Sequence, residues 1–175
     1  MSTTGFVIGQ IMGILAMILT FLSYQANTKK WVLIIQTVGT AFTAASYFFL
    51  GAGTGLILNL VCIGRNLVFY FQKTKTRAST VSSILFAAAM IALGALSFEG
   101  WYSLLLLAAL AANTIFLSLG NPQLLRKSIL VTSTMVLIYN CFVLSLGGIA
   151  SESLAIISSA IGILRFRKGR KQQNS

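Results

Sequence analysis

The stretch FVIGQIMGILAMILTFLSY, residues 6–24, decides the fold class of this chain. It contains no Asp, Glu, Lys or Arg, and no charged side chain precedes it. A helix crosses a hydrocarbon core about 30 Å thick with roughly 17–25 apolar residues. Because no basic segment precedes the stretch and no small-residue cleavage site follows it, we interpret it as a retained transmembrane helix and not as a signal peptide.

The rest of the chain has the same character. Of its 175 residues, 57% are hydrophobic and 9% are charged, whereas soluble domains are about 45–50% apolar and about 25% charged. Six further apolar runs are long enough to cross a bilayer. The sequence therefore predicts one all-helical membrane domain with seven spans, at 6–24, 31–50, 55–71, 80–96, 101–119, 129–146 and 149–166.

Composition argues against several classes of function. The chain has no His and no Asp, so that His-based zinc sites and Ser-His-Asp triads lack their residues. Its two cysteines lie inside apolar runs and make no disulfide framework. We therefore predict no enzyme activity, no cofactor and no metal. The net charge of +11 lies in short loops between apolar runs, which favours a lipid bilayer over nucleic acid as the partner.

The charged residues predict an orientation. All but one of the 13 Lys and Arg lie at the end of the first, third, fifth or seventh span or directly after it. The alternate loops have no basic residue, and both acids, Glu99 and Glu152, lie on the same side as these loops. Because positive loops stay in the cytoplasm, the N-terminus is predicted outside and the basic tail, 168–175, inside.

The chain also repeats itself. Span 6–24 is followed by Tyr24-Gln25 and span 101–119 by Pro122-Gln123, and each is succeeded by basic residues and an apolar span that ends in a Gly-containing turn. We interpret 6–72 and 101–167 as two copies of a three-helix unit, joined by the span at 80–96. A single linker span makes the two copies parallel, in a 3+1+3 arrangement.

Gln25, Pro122 and Gln123 are candidate hinges of these repeats. A Pro stops a helix, and a Gln amide can bond carbonyls left free at its end. This Gln-bearing boundary resembles the PQ-loop and SWEET-type superfamily, which includes sugar facilitators and PnuC-type vitamin transporters. Pro122-Gln123 matches the motif literally, and Tyr24-Gln25 matches it in the Gln alone.

A second resemblance covers most of the chain. It rests on Phe49-Leu50-Gly51-Ala52, Leu58-Asn59, Arg65, Tyr139-Asn140, Gly147-Gly148, Glu152 and Ile163-Leu164-Arg165-Phe166. In these stretches the sequence resembles the YgjV family of bacterial inner-membrane proteins. The resemblance implies a multi-pass inner-membrane protein, and it brings no established substrate.

Seven side chains inside the predicted spans are candidate substrate contacts, because polar groups in lipid usually face the bundle interior or a cavity. They are Gln36, Asn59, Arg65, Asn66, Asn113, Tyr139 and Asn140. Asn59 and Asn140 are predicted in the outer half, and Gln36, Asn66 and Asn113 nearer the cytoplasm. We expect a polar layer on each side of a narrow waist, suited to a neutral solute. The alternative is interhelical hydrogen bonding, worth about 0.6–2 kcal/mol for each residue.

Two charged residues need separate interpretations. Arg65 is predicted about 9 Å from the cytoplasmic end of its helix, and snorkelling to the headgroups is favoured over bonds to carbonyls or to an anionic ligand. Glu152 is predicted to begin the last span, where a carboxylate favours the positive helix end. An external gate or binding contact is its alternative. With both acids at the outer face, any transport is expected to be facilitated diffusion.

The leading functional hypothesis is a small-solute transporter or facilitator that works by alternating access between the two repeats. The alternative is a non-transporting membrane module that binds a lipid or a partner protein, with the basic residues 165–171 on anionic headgroups. A water-accessible cavity lined by Asn59 and Asn140 would separate the two. The identity of the solute, the direction of transport and assembly into a homo-oligomer stay open.

Overall fold

The computed structural model describes residues 3–25, 29–72, 77–119 and 122–173. Within these ranges the chain is helical, with seven α-helices and no strand. They are α1 (Thr3–Gln25), α2 (Lys29–Leu50), α3 (Gly53–Phe71), α4 (Arg77–Leu96), α5 (Trp101–Leu119), α6 (Pro122–Phe142) and α7 (Leu146–Gln173). Four of the helices contain segments long and apolar enough to cross a membrane, and the other three contain shorter apolar segments. The predicted all-helical class is confirmed.

Two boundaries differ from the predicted spans. Helix α6 begins at Pro122 and not near 129, because a Pro in the first turn needs no intrahelical N–H partner. Helix α7 begins at Leu146 and not near 149. The Ser145 hydroxyl accepts the Gly148 N–H at 3.3 Å, as an N-cap does. Leu144, with a φ of 54°, reverses the chain, so that the Gly147-Gly148 pair lies inside α7.

Three connections meet at one end of the bundle, which we call the acidic end because it carries Glu99. Gly51, with a φ of 73°, ends α2 in the left-handed conformation that Gly adopts most easily. The Gly53 N–H at the start of α3 donates to the Glu99 carboxylate in the α4–α5 connection. Next to it the Thr54 hydroxyl donates to the Ser97 carbonyl. The α2–α3 and α4–α5 connections are therefore bonded together.

Six of the helices form a closed ring. Helix α1 packs against α2, α2 against α3, α5 against α6 and α6 against α7, while contacts of α3 with α5 and of α7 with α1 complete the circle. Helix α4 packs against α3 and α5. The α1–α7 contact depends on glycine, since a Cβ on Gly147 would lie 2.2 Å from the Gly13 carbonyl carbon.

The distribution of apolar surface suits a lipid environment. Helix α1, for example, exposes Val7, Ile11, Ile14 and Ile18 at helical spacing. A smaller apolar core holds the ring together on the α4 side. Its buried members are Tyr47, Ala52, Leu58, Cys62, Met90, Leu106, Ala109, Val136 and Tyr139. Many of the polar side chains of the six helices face the inside of the ring.

Candidate functional site

A cavity of about 340 Å³ lies inside the ring. Side chains of α1, α2, α3, α5, α6 and α7 line it, and no described residue of α4 does. Its polar lining consists of Thr20, Gln36, Thr40, Thr43, Ser46, Tyr47, Asn59, Arg65, Asn66, Asn113, Ser133, Asn140, Ser145, Ser151 and Glu152. The cavity therefore offers many hydrogen-bonding groups and two charged ones.

The structure brings together six of the seven residues predicted as substrate contacts. Gln36, Asn59, Arg65, Asn66, Asn113 and Asn140 all line the cavity. Both predicted polar layers thus border one cavity, and the predicted waist between them stays a prediction. Tyr139 instead packs in the apolar core.

The three predicted hinge residues lie at helix ends. Gln25 is the last residue of α1, while Pro122 and Gln123 open α6. Pro122 does not stop a helix here but begins one, as its tolerance of the first helical turn allows. The side chains of all three residues lie outside the described part of the structure.

Asn140 is fixed in the cavity wall by neighbours on two other helices. Its Oδ1 accepts a hydrogen bond of 2.8 Å from the Tyr47 hydroxyl. A Cβ on Gly148 would lie 2.4 Å from the same oxygen, so that glycine is needed for the amide to fit. Tyr47 was missed by sequence reasoning, although a buried Tyr hydroxyl usually has a hydrogen-bond partner.

Tyr139 supports this wall from behind. Its ring packs edge-on against Tyr47, with 5.7 Å between the ring centroids. Its hydroxyl accepts the Gly55 N–H at 2.9 Å, near the start of α3. Tyr139 thus joins α6 to α2 and α3, and its role in the structure is to hold the wall.

Gln10 is a second residue that sequence reasoning missed. Its amide nitrogen donates to the Leu144 carbonyl at 2.5 Å, and its Oε1 accepts the Leu146 N–H at 3.0 Å. One side chain thereby satisfies two backbone groups of the α6–α7 turn. A Gln inside the apolar run 6–24 was the available signal, since such a group needs internal partners.

Arg65 points into the bundle. The residue is 8% exposed, and its Nη1 donates to the Thr114 hydroxyl at 2.8 Å. Its Nη2 and Nε donate to the Asn66 Oδ1 at 3.0 and 3.3 Å. The favoured prediction that Arg65 snorkels to the headgroups is therefore wrong. Three of its five N–H groups donate to acceptors on α3 and α5, and these bonds hold the guanidinium inside the bundle and away from the surface.

Glu152 also lies deeper than predicted. It is the seventh residue of α7, beyond the first turn, in which the helix dipole acts. Its carboxyl group lies beside the Ser133 hydroxyl and near Tyr47, and it lines the cavity. The prediction that Glu152 begins the helix is wrong, because Ser145 starts α7 earlier than the Gly-Gly pair suggested. At the start of α3 it is Glu99 that binds a free N–H.

The charges of the cavity are therefore one guanidinium and one carboxyl group. No ion pair joins these two residues in the described part of the chain, and Arg65 hydrogen-bonds only neutral groups there. No cluster of three or more His, Cys, Asp or Glu side chains that could hold a metal occurs among the described residues. The chemistry on offer is binding through hydrogen bonds and charge.

A model of a family of bacterial inner membrane proteins, Imp-YgjV, matches residues 7–170. The chain belongs to this family. The membership predicted from the YgjV-like stretches is confirmed, and so is the location, since the apolar helices of this family member suit a multi-pass protein of the bacterial inner membrane. The relationship to the PQ-loop superfamily stays a prediction. Comparisons with curated proteins and with solved structures found no match.

Proposed function

We propose that this protein is a small transporter or facilitator that moves a polar solute through the cavity between two three-helix units. The observation that carries the proposal is the cavity of about 340 Å³ that polar side chains from six helices line. Ligand pockets are about 300–1,000 Å³ in volume, so that this one fits a small metabolite. Its partners are then the lipid bilayer and that solute, and no catalytic step is part of the proposal.

The polar lining favours transport over simple helix packing. Polar side chains that only stabilise helix packing hydrogen-bond each other across a closed interface, as Thr54 and Ser103 do at 3.2 Å. The amide of Asn59 instead bonds the carbonyl of Gly55 on its own helix at 2.8 Å. Gln36 and Asn113 also face the open space. A polar cavity of this size inside a membrane protein is expected to hold water or a solute.

The helix contacts support the 3+1+3 arrangement of parallel repeats. In the ring, α1–α2 and α2–α3 correspond to α5–α6 and α6–α7, while α3–α5 corresponds to α7–α1. The same two-fold relation leaves α4 without an equivalent, as expected for a linker helix. With seven spans, the basic loops lie on one side, and the positive-inside rule puts the acidic end outside the cell and the C-terminus in the cytoplasm.

Alternating access would take place at the two seams between the units. One seam is the α1–α7 contact, where Gly13 meets Gly147. The other is the α3–α5 contact, which includes the Arg65–Thr114 hydrogen bond. If the units rock about these seams, the cavity opens to one side of the membrane at a time.

Flux through reconstituted protein tests the proposal. Proteoliposomes shrunk by an osmotic step of a permeant solute re-swell as the solute enters, and light scattering follows this with sugars, polyols, amino acids and nucleosides. We expect at least one solute to enter faster than into protein-free vesicles.

Asn113→Trp should block that entry by filling the cavity, whereas Leu104→Trp, on the exposed face of the same helix, should not. Equal swelling with and without protein for every solute would contradict the proposal and favour a non-transporting module that binds a lipid or a partner protein.

A further inference from the structure

The guanidinium of Arg65, the cation of the cavity, has N–H groups that can bind a ligand. A guanidinium carries five N–H groups, and three of those of Arg65 donate to Thr114 and Asn66. One N–H on each Nη is left without a partner among the described residues, and Arg65 lines the cavity. Unpaired N–H groups of a guanidinium can donate charge-assisted hydrogen bonds to the oxygens of a carboxylate. A buried cation held only by neutral acceptors gains most from an anionic partner.

The other charge of the cavity is the Glu152 carboxyl group, and its depth relative to Arg65 can be estimated from contacts. A Cβ on Gly13 would lie 3.2 Å from Ser46 Oγ and 3.6 Å from Gly147 Cα. Tyr47 follows Ser46 in α2, and its ring would lie 2.7 Å from a Cβ on Gly55. Gly147 of α7 and Gly55 of α3 are therefore at nearly the same level.

From this level both helices run away from the acidic end. Arg65 is ten residues beyond Gly55, and Glu152 is five residues beyond Gly147. At about 1.5 Å of rise per residue the Cα atoms of the two charged residues differ by about 7–8 Å in depth along the helix axes. An α-amino acid has its nitrogen and carboxylate oxygens about 3 Å apart, and charge-assisted hydrogen bonds of about 2.8 Å at both ends extend this to about 8–9 Å.

We propose that the solute is a small zwitterion of the α-amino acid type, whose carboxylate binds Arg65 and whose ammonium group binds Glu152. The inference rests on the proposed function and names the substrate class of the same cavity. A zwitterion matches both charges at once. A sugar leaves both unmatched, an anion is repelled by Glu152, and a cation is repelled by Arg65. This differs from the neutral solute expected from the sequence, because both charged side chains now border the cavity.

Ligand binding to the purified full-length protein tests the inference without any substitution. Thermal unfolding is measured in detergent with each common α-amino acid, and with sugars and polyols as neutral probes. A ligand of the native state must raise the unfolding temperature. For each stabilising amino acid, its carboxamide and its 2-hydroxy acid each remove one charge at nearly constant shape. We expect both analogues to bind at least tenfold more weakly than the parent amino acid.

Two substitutions assign the charges to residues. In Arg65→Gln the amino acid and its carboxamide should bind equally weakly, because the partner of the carboxylate is gone, and in Glu152→Gln the amino acid and its 2-hydroxy acid should do so. Arg65→Lys and Glu152→Asp keep the charge and should retain part of the affinity, which separates a binding role from a folding defect.

Three results would overturn the inference. They are stabilisation by neutral probes but by no amino acid, equal binding of the amino acid and both analogues, and full amino-acid binding by Glu152→Gln, which would indicate an anion site. Each of these leaves the transport proposal standing if vesicle swelling shows flux of another solute. If no solute enters the vesicles while amino acids still bind with this dependence, the transport proposal fails and the zwitterion site remains.

Discussion

The two seams that close the ring of helices, α1–α7 and α3–α5, are built differently. At the α1–α7 seam backbone meets backbone, because Gly13 and Gly147 have no side chains to hold the helices apart. At the α3–α5 seam side chains make the contact, through the Thr54–Ser103 and Arg65–Thr114 hydrogen bonds, and α4 packs against both helices. The α1–α7 seam therefore depends on residues without side chains, and the α3–α5 seam depends on polar side chains that keep their hydrogen-bond partners. The two should therefore fail for different reasons.

The largest effect is expected at the backbone seam. Gly147→Ala puts a Cβ 2.2 Å from the Gly13 carbonyl carbon, so that α1 and α7 must separate. Overpacking of this kind costs about 1–3 kcal/mol or more, and we expect a clear fall in the unfolding temperature. Gly64→Ala makes the same chemical change in α3, where the nearest atom would be 3.8 Å away. This control should be neutral or slightly stabilising. Equal effects of the two substitutions would contradict the close α1–α7 contact.

A smaller effect is expected at the polar seam. Thr114→Val keeps the shape of the side chain and removes the acceptor of the Arg65 Nη1 hydrogen bond. Leaving a buried donor unpaired costs about 1–3 kcal/mol, measured as a loss of stability in detergent. Thr134→Val is the matched control, because its hydroxyl bonds the Leu130 carbonyl of its own helix on an exposed face. If both variants are equally stable, Arg65 does not depend on Thr114.

The smallest effect is expected at the edge of the polar seam. Glu99→Gln keeps a side chain that can accept the Gly53 N–H but removes the negative charge at the start of α3. Charges at exposed helix ends contribute about 0.3–1 kcal/mol. The destabilisation should therefore lie within this range at low salt and shrink as salt is added. An effect that does not change with salt would show that the charge of Glu99 is not what binds the α3 end.

Much of the fold could be predicted from the sequence, because the thickness of a bilayer fixes the length of each apolar run. The apolar runs predicted the number and positions of the helices. The polar residues within these runs included six that line the cavity. The direction of Arg65 could not be predicted. It depends on Thr114, which is far away in the chain and whose hydroxyl is available only once α5 lies beside α3.

The start of α7 was missed for a related reason. The pair Gly147-Gly148 is typical of a turn, yet both residues are helical and serve close contacts with Gly13 and Asn140. A sequence pattern does not distinguish a glycine needed for backbone conformation from one needed for space. Because α7 starts earlier than predicted, Glu152 lies in the cavity wall and not at the outer face. The expectation of facilitated diffusion assumed that both acids lie at the outer face, so this assumption no longer holds.

The central claim is that the cavity is a water-filled path and not packed interior, and cysteine accessibility tests it most directly. In a Cys62→Ala/Cys141→Ala background, Asn59→Cys places a thiol in the cavity wall, while Leu60→Cys places one on the exposed face of the same helix, predicted to face lipid. Both are treated in membranes with a charged, membrane-impermeant methanethiosulfonate reagent from either side. The account predicts that Asn59→Cys reacts at least tenfold faster than Leu60→Cys, from both sides of the membrane. Equally slow reaction of the two thiols would contradict it.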